Sequence, residues 1–483
     1  MANYDYDIGI LGGGAAGLTI ASGAARFGAR TLLIEKEKSL GGDCLHFGCV
    51  PSKTLIRTAN VYHLMKNAEK YGLPRVDLKP VDYGEVSKRI RSVIGVIQEH
   101  DSKERFCKLG ARVELGNAKF IDEHSVRLNG EIFSAKKWVI ATGSSPSVPP
   151  IEGIDKTPYI TNKELFSLKT LPKSMIAIGG GPISIEMAQA FNRLGTKVTV
   201  VELANQILVA EDKDLADYLM NILISEGITF HLASQPLGTR DLGNEKEITI
   251  KNAGGKTIRM SAETILVAVG RKANLQDLGL DAISMELDKK GLKTDDRLRT
   301  NHKHIFAAGD VTGSYQFTHA AGYEGGIVLS NAILHLPRKV DYTYLPWCTY
   351  TDPELASIGM NEKRAGAAGI HYSVWTEEFK ANDRSLAEGE EAGKIKLLLN
   401  EHEKPIGIQI LGPHAGELIS EWVSILNGNV KLSAIASAVY PYPTLGEINK
   451  KVVGNFFSGK IFSEKVKKAL KFFFNLKGRA CRA

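Results

Sequence analysis

The sequence predicts an α/β chain in which two Rossmann-like dinucleotide-binding domains are followed by a C-terminal α+β domain. Two observations carry the prediction. A glycine-rich strand–turn–helix–strand unit occurs twice, over residues 6–35 and 174–202, and from about Asp341 the pattern changes to short strands and helices without glycine fingerprints. The two copies keep one internal measure: Glu35 lies twenty-three positions after Gly12, and Glu202 twenty-three positions after Gly179. A lone glycine-rich turn is common, but strand, turn, helix and acid at matching distances twice over are specific to a dinucleotide site.

In the first unit the apolar strand Tyr6-Asp7-Ile8-Gly9-Ile10-Leu11 runs into Gly12-Gly13-Gly14-Ala15-Ala16-Gly17, a helix-like stretch from Leu18 to Phe27, and the strand Thr31-Leu32-Leu33-Ile34 closing on Glu35. Gly12 makes the tight turn, and Gly14 lets the backbone approach a pyrophosphate at the positive end of the helix. Gly17 sits where helix and strand pack, and Glu35 accepts hydrogen bonds from a ribose. The second unit repeats this with Ser174–Ile178, Gly179, Gly181, a helix-like stretch to Leu194, and Lys197–Val201 closing on Glu202. Its last motif position is Ser184, whose small side chain calls for a slight outward shift of the helix. Pro182 suits a first helical turn, where its missing donor costs nothing.

Between the units, Cys44 and Cys49 lie in Gly41-Gly42-Asp43-Cys44-Leu45-His46-Phe47-Gly48-Cys49-Val50-Pro51-Ser52-Lys53. Two thiols this close, in a chain whose first strand begins almost at Met1 and leaves no room for a secretory leader, point to the cytoplasm and to a disulfide made and broken in turnover. Residues five apart on an ideal helix rise by about 7.5 Å, more than the roughly 4.4 to 6.8 Å between bridged alpha carbons. The backbone must therefore be distorted there, with Gly48 giving it freedom and Pro51 a fixed bend. Three further apolar segments read as strands: Trp138–Ile140 running into Ala141-Thr142-Gly143, Ile265–Val269 into Gly270-Arg271, and Ile305–Ala308 into Gly309-Asp310.

Composition narrows the class. At 483 residues, 43% apolar and 24% charged, the chain is long enough for several cores, and no uninterrupted apolar run suggests a bilayer span. The formal charge of +7 is local: eight Lys and Arg against Glu464 in residues 460–483 account for all of it. The body is formally neutral, which argues against a nucleic-acid surface.

The order of these motifs, with Tyr350-Thr351-Asp352-Pro353-Glu354 and Pro443-Thr444-Leu445-Gly446-Glu447, resembles the flavin-dependent pyridine nucleotide-disulfide oxidoreductases, a group that includes dihydrolipoamide dehydrogenase, glutathione reductase and mercuric reductase. The resemblance runs from Tyr6 to about Gly459. It implies an FAD-binding domain at 1–150, an NAD(P)H-binding domain at 151–271, a return to the FAD and central domain at 272–340, and a dimerisation domain at 341–459. A basic amphipathic tail at 460–483 lies beyond. Gly12, Gly14, Gly17 and Glu35 would hold the FAD adenosine and pyrophosphate, and Asp310 its ribityl chain, with Ala141, Thr142 and Gly143 near the cofactor. Gly179, Gly181, Ser184, Glu202 and Gly270 would surround the nicotinamide dinucleotide. Lys53 and Glu186 would pair beside the flavin. Cys49 would be the thiolate against the flavin and Cys44 the thiol that meets substrate. The resemblance also implies a homodimer with a shared active site, and no resident metal is assigned.

Glu202 would repel a 2′-phosphate, and Leu203-Ala204-Asn205-Gln206 adds no basic residue, so NADH is favoured over NADPH. Where dithiol enzymes of the group carry a proton-moving His before the Pro, this chain has Tyr442, with the acid Glu447 retained. A phenol with a reference pKa of about 10 is a poor base near neutrality. The expected acceptor is thus a metal ion or small molecule, as in mercuric reductases; a divergent dihydrolipoamide dehydrogenase and a non-catalytic, membrane-associated redox sensor are the alternatives. Cys481 stands alone near the end. On a helix, Phe462, Val466, Ala469, Leu470, Phe473 and Leu476 would share one face opposite Lys467, Lys468 and Lys471, a pattern suited to peripheral membrane contact or to docking on the chain's own dimer domain.

Overall fold

A computed structural model describes residues 3–478 and 480, which form two compact units: residues up to Ile207 with Leu223–Tyr342, and Leu208–Ile222 with the residues from Thr343 onward. Cys481, Arg479 and Arg482 lie outside the described residues. The mixed α/β architecture agrees with the class read from the sequence.

In the first unit, parallel strands run in the order Ala111–Leu115, Thr31–Glu35, Tyr6–Leu11, Glu131–Ile140 and Ile305–Ala307. Strand Glu131–Ile140 does two jobs. Its second half pairs in parallel with Tyr6–Leu11, Leu11 opposite Ile140, while its first half pairs antiparallel with Ser125–Leu128. Alternation along the strands covers both faces of the sheet, as a parallel sheet requires. Ile8, Ile10, Leu33 and Val139 pack with helices Ala15–Arg26 and Thr318–Ala332 on one side, and Leu11, Leu32, Trp138 and Ile140 pack in a second layer on the other.

The second glycine unit repeats the arrangement: Thr229–His231, Lys197–Val201, Ser174–Ile178 and Thr264–Val267 are parallel neighbours in that order, with helix Pro182–Leu194 following the turn. The sequence repeat is a repeat of topology.

The second unit is built on an antiparallel sheet ordered Pro346–Thr349, Glu354–Gly359, Pro405–Gly412, Lys394–Asn400, Tyr372–Glu378. Helices Ala415–Asn427 and Glu447–Ile461 bury Trp422, Ile425, Val452 and Phe456 against Ile358, Leu397 and Ile410. Leu208–Ile222, assigned from sequence to the second nucleotide domain, groups with this unit.

The tail departs from the single helix expected of it. One helix ends at Ile461, Phe462 caps it, Ser463 is extended, and a new helix runs over Glu464–Phe474. Ser is a residue favoured before a first helical turn. Phe462 and Leu476 are therefore off the helix whose face they were expected to share.

Candidate active site

The two turns are built alike. Gly12 and Gly179 both have φ of +108°, and a Cβ there would lie 2.2 Å from the Ala141 carbonyl oxygen and 2.5 Å from that of Ala268. Only glycine meets both demands. Gly17 is as constrained, since a Cβ on it would stand 1.8 Å from the Gly12 oxygen. Ser184, at the same offset, is fully buried and its hydroxyl has no hydrogen-bond partner among the described residues; the second helix must stand off its turn far enough to admit it.

Helices Ala15–Arg26 and Pro182–Leu194 start from Gly14 and Gly181 in extended conformation, and neither has a side-chain cap. Their first N–H groups need acceptors. A Cβ on Gly14 would meet nothing nearer than 3.8 Å, and one on Gly181 nothing within 4 Å. Uncapped donors facing open space fit a diphosphate on each helix. Buried Glu35 accepts from the Gly13 amide at 2.6 Å and the Glu37 amide at 2.8 Å. Glu202 repeats this with the amides of Gly180 and Ala204, the latter at 2.6 Å. The backbone aims each carboxylate, and each oxygen keeps a second lone pair for a ribose hydroxyl.

Thr142, Gly143 and Gly270 form a frame between strand ends. Thr142 Oγ1 donates to the Asn274 carbonyl at 2.8 Å, the Asn274 amide side chain returns a bond to the Thr142 carbonyl at 2.9 Å, and the Ser147 amide bonds the Gly270 carbonyl at 2.9 Å. Asp310 accepts from Ser144 Oγ at 2.5 Å. Arg271 reaches Ser144 Oγ at 2.7 Å and Asp43 at 3.0 Å, with Asp310 at 3.7 Å. Burial pushes the Asp310 carboxyl up, against the Ser144 bond and the Arg271 charge that favour its ionised form. Through Asp43, one guanidinium joins the segment bearing Cys44 to the Asp310 turn.

The cysteine segment breaks where the chain needs it to. Helix Gly42–His46 stops at Phe47, Gly48 is non-helical (φ −119°, ψ −117°), and helix Cys49–Lys66 begins with Pro51 in its first turn. The Phe47 carbonyl accepts from Asn162 at 2.9 Å, and His46 Nε2 bonds the Leu40 carbonyl at 2.9 Å. Cys44 and Cys49 are free thiols hydrogen-bonded to each other, Cys44 half-buried and Cys49 exposed. Cys49 Sγ also lies 3.5 Å from Thr318 Oγ1. The Cys44 bond, Thr318 and the Lys53 charge bring the Cys49 thiol down to about 6, while donation to Cys49, with burial, pushes Cys44 up. Cys49 opens one helix and Thr318 opens another, neither with a side-chain cap; partial positive charge at such ends favours a thiolate.

Lys53 Nζ stands 2.9 Å from Glu186, whose side chain is 6% exposed against 35% for the Lys. Seven residues on, Asn60 accepts from Arg193, which is seven beyond Glu186, at 2.7 Å, and Arg193 forks onto Glu226 at 2.9 and 2.6 Å. Seven residues are nearly two helical turns, so each helix presents a stripe, and these two polar rungs join the helix carrying Cys49 to that of the second glycine motif.

Tyr442 and Glu447 belong to the other unit. Tyr442 is 72% exposed, and its hydroxyl donates to Asp383 at 3.0 Å. That bond and the Asp383 charge push the phenol up. Glu447 opens helix Glu447–Ile461 and accepts weakly from the Thr444 amide at 3.4 Å.

Residues 6–325 match the pyridine nucleotide-disulphide oxidoreductase family, and residues 345–453 match the dimerisation domain of pyridine nucleotide-disulphide oxidoreductases. The chain belongs to this family. It is an NAD(P)H-dependent flavoprotein disulfide oxidoreductase, with FAD and a pyridine nucleotide implied as cofactors and a C-terminal domain of the homodimer-forming kind. A dihydrolipoyl dehydrogenase of Bacillus subtilis is 34% identical over 447 residues, covering 91% of this chain and 96% of the relative. A mercuric reductase of Lysinibacillus sphaericus is 32% identical, covering 92% and 82%. Among solved structures, the Cu(II) complex of the HOCl-induced flavoprotein disulfide reductase RclA from Escherichia coli superposes with TM-score 0.84 at 26% identity, covering 94% of this chain and 99% of that one. No helix among the described residues is long and apolar enough to cross a membrane.

Sequence reasoning missed Thr318, Ser144, Asn274, Arg271 and Asp43 as parts of this candidate site. Arg271, Ser144 and Asp43 had a signal, since they adjoin Gly270, Gly143 and Cys44 in recognised motifs; Thr318 and Asn274 are ordinary polar residues brought in from distant segments.

Proposed function

We propose that the enzyme uses NADH, in preference to NADPH, to reduce a soft metal ion or small acceptor held by Cys44 and Cys49. The site is shared in a homodimer, with Tyr442 and Glu447 supplied by the partner subunit. Within the chain we take 1–150 and 272–340 as the FAD-binding part, 151–271 as the NADH-binding part and 341–459 as the dimerisation domain. We infer a cytoplasmic enzyme whose tail makes peripheral membrane contact.

Bound flavin would supply a two-electron relay between nicotinamide hydride and the cysteine pair. Gly12, Gly14, Gly17, Glu35 and Asp310 would hold it, with Ala141, Thr142 and Gly143 alongside. Lys53, paired with Glu186 at 2.9 Å, would place a positive charge near Cys49. Gly179, Gly181 and Ser184 would receive the nicotinamide dinucleotide with Gly270 nearby. Glu202, aimed by two amides and followed by no basic residue up to Gln206, would accept from a free 2′-hydroxyl and repel a 2′-phosphate.

The observation that carries the acceptor class is Tyr442. Its proton is committed to Asp383 and held more tightly than in a free phenol, so it is no base at neutral pH. Dithiol–disulfide exchange needs such a base, whereas a soft cation needs thiolates. Cys49, brought to about 6 by Cys44, Thr318 and Lys53, is a thiolate at neutral pH without a general base, and a coordinating metal ion deprotonates the second thiol itself. The similarity to a mercuric reductase supports this reading, and the similarity to a dihydrolipoyl dehydrogenase names its rival.

Anaerobic titration of the FAD-loaded enzyme with NADH, followed by Hg(II), lipoamide, glutathione disulfide or quinones, tests the proposal. Reoxidation by Hg(II) and none by lipoamide is expected, with Tyr442→His gaining dihydrolipoamide turnover. Ready lipoamide turnover by the parent enzyme would defeat the acceptor assignment.

A further inference from the structure

We propose that the C-terminal helix docks the enzyme on an anionic lipid bilayer, with Phe472, Phe473 and Phe474 entering the acyl boundary and the tail lysines binding the headgroups. This gives the peripheral contact proposed for the tail a definite partner and rests on that reading for location only, not for redox chemistry.

Helix Glu464–Phe474 buries none of its residues against the rest of the chain. Phe472, Phe473 and Phe474 are 83%, 75% and 70% exposed, and the helix stops directly after them at left-handed Asn475. Leu470 and Leu476 flank them, both exposed. At about 100° per residue, three consecutive rings fan across about 200° of the helix tip. A groove on a protein covers one stripe and would leave a ring in water, whereas a bilayer interface receives the whole tip. Eleven residues are too few to span the hydrocarbon core, which needs about 20; the segment can only lie in the interface.

Charge selects the kind of bilayer. Lys467 neutralises Glu464, the only acid of residues 460–483, at 2.8 Å, and Lys460 pairs with Glu403. Lys465, Lys468, Lys471 and Lys477 are exposed, and no ion pair involves them among the described residues. The rest of the chain is formally neutral, so it offers no net negative charge to attract them. Basic residues beside inserted aromatics are the requirements of an anionic surface.

The test uses the full-length, FAD-loaded protein, sedimented with vesicles of phosphatidylcholine alone or with 30% phosphatidylglycerol, at low and high salt. Its companions are the triple variant Phe472→Ser, Phe473→Ser, Phe474→Ser and a chain ending at Ser463. The expected result is pelleting with the phosphatidylglycerol vesicles that drops at least tenfold in high salt, on neutral vesicles and in both variants. Flavin reduction by NADH, measured on the same samples, should be unchanged by the variants; its failure would strike the redox reading and leave the docking result standing. Equal, negligible pelleting of the intact and shortened chains overturns the proposal. So does salt-insensitive binding to both vesicle types, or a dimer that dissociates on truncation without any vesicle binding, which would make a second copy the occupant.

Discussion

Replacing Thr318 with Val removes one donor from the Cys49 sulfur while keeping the shape of the side chain. In the wild type the hydroxyl lies 3.5 Å from Sγ, and with Cys44 and Lys53 it holds the thiol at about 6. A hydrogen bond to a charged acceptor contributes about 1.5–3 kcal/mol. Both groups are exposed, so water replaces part of it, leaving a loss of about 0.7–1.4 kcal/mol, or roughly half to one pH unit at about 1.4 kcal/mol each. Because the pKa of Cys49 is depressed, its thiolate persists above the midpoint and is lost as pH falls through it; the variant should lose it at a higher pH. Site-resolved iodoacetamide alkylation of Cys49 in the reduced protein, followed from pH 4.5 to 9, reads the midpoint directly, with thermal stability as the control for folding. A midpoint within 0.2 pH units of wild type would show that Cys44, Lys53 and the two helix ends hold the thiolate without Thr318, and the reasoning would fail.

Lys53→Met takes an ammonium from a carboxylate that is only 6% exposed. Breaking a fully buried pair costs about 3–5 kcal/mol, and the partial exposure of Lys53 lowers this to about 1–3 kcal/mol; urea unfolding should show Glu186→Met recovering part of the loss. Lys396, buried and 2.8, 2.9 and 2.5 Å from Asp212, Asp214 and Glu362, fills the position a cation would take. Lys396→Met should destabilise the C-terminal unit by about 3–5 kcal/mol in urea unfolding, and a variant as stable as wild type without added cation would contradict the role given to the ammonium. Glu324, fully buried and bonded to the Gly309 amide and the Tyr342 hydroxyl, is raised to about 6 by burial. A raised carboxyl contributes its stability below its unfolded value near 4.5, and that contribution is lost as pH rises through about 6. Wild type should therefore lose about 2 kcal/mol relative to Glu324→Gln between pH 4.5 and 8, and parallel pH profiles in urea would refute it.

The nucleotide turns were legible because their requirements are local. Gly12 and Gly179 have the same φ and each has an alanine carbonyl close behind it, and each acid is aimed by amides of its own unit. The cysteine segment was legible for the same reason: a helix cannot bring positions five apart together, and the break falls at Phe47 and Gly48. The tail was misread where helical periodicity was carried across Ser463, because a face pattern says nothing of where one helix stops and the next starts.

By itself the sequence determined the family, the two repeated glycine-rich units and the close pairing of Cys44 with Cys49 in one segment, since turn chemistry, spacing and periodicity act over a few residues. Tertiary structure decided how the pair is tuned. Thr318, 269 positions from Cys49, and Arg271, joining Asp43 to Asp310, act through contacts that exist only once distant segments pack. It also decided what Tyr442 can do, because its proton is set by Asp383, a residue 59 positions away. A thiol or a phenol has an ordinary pKa in the sequence, and only the charges, donors and burial that folding gathers around it move that value.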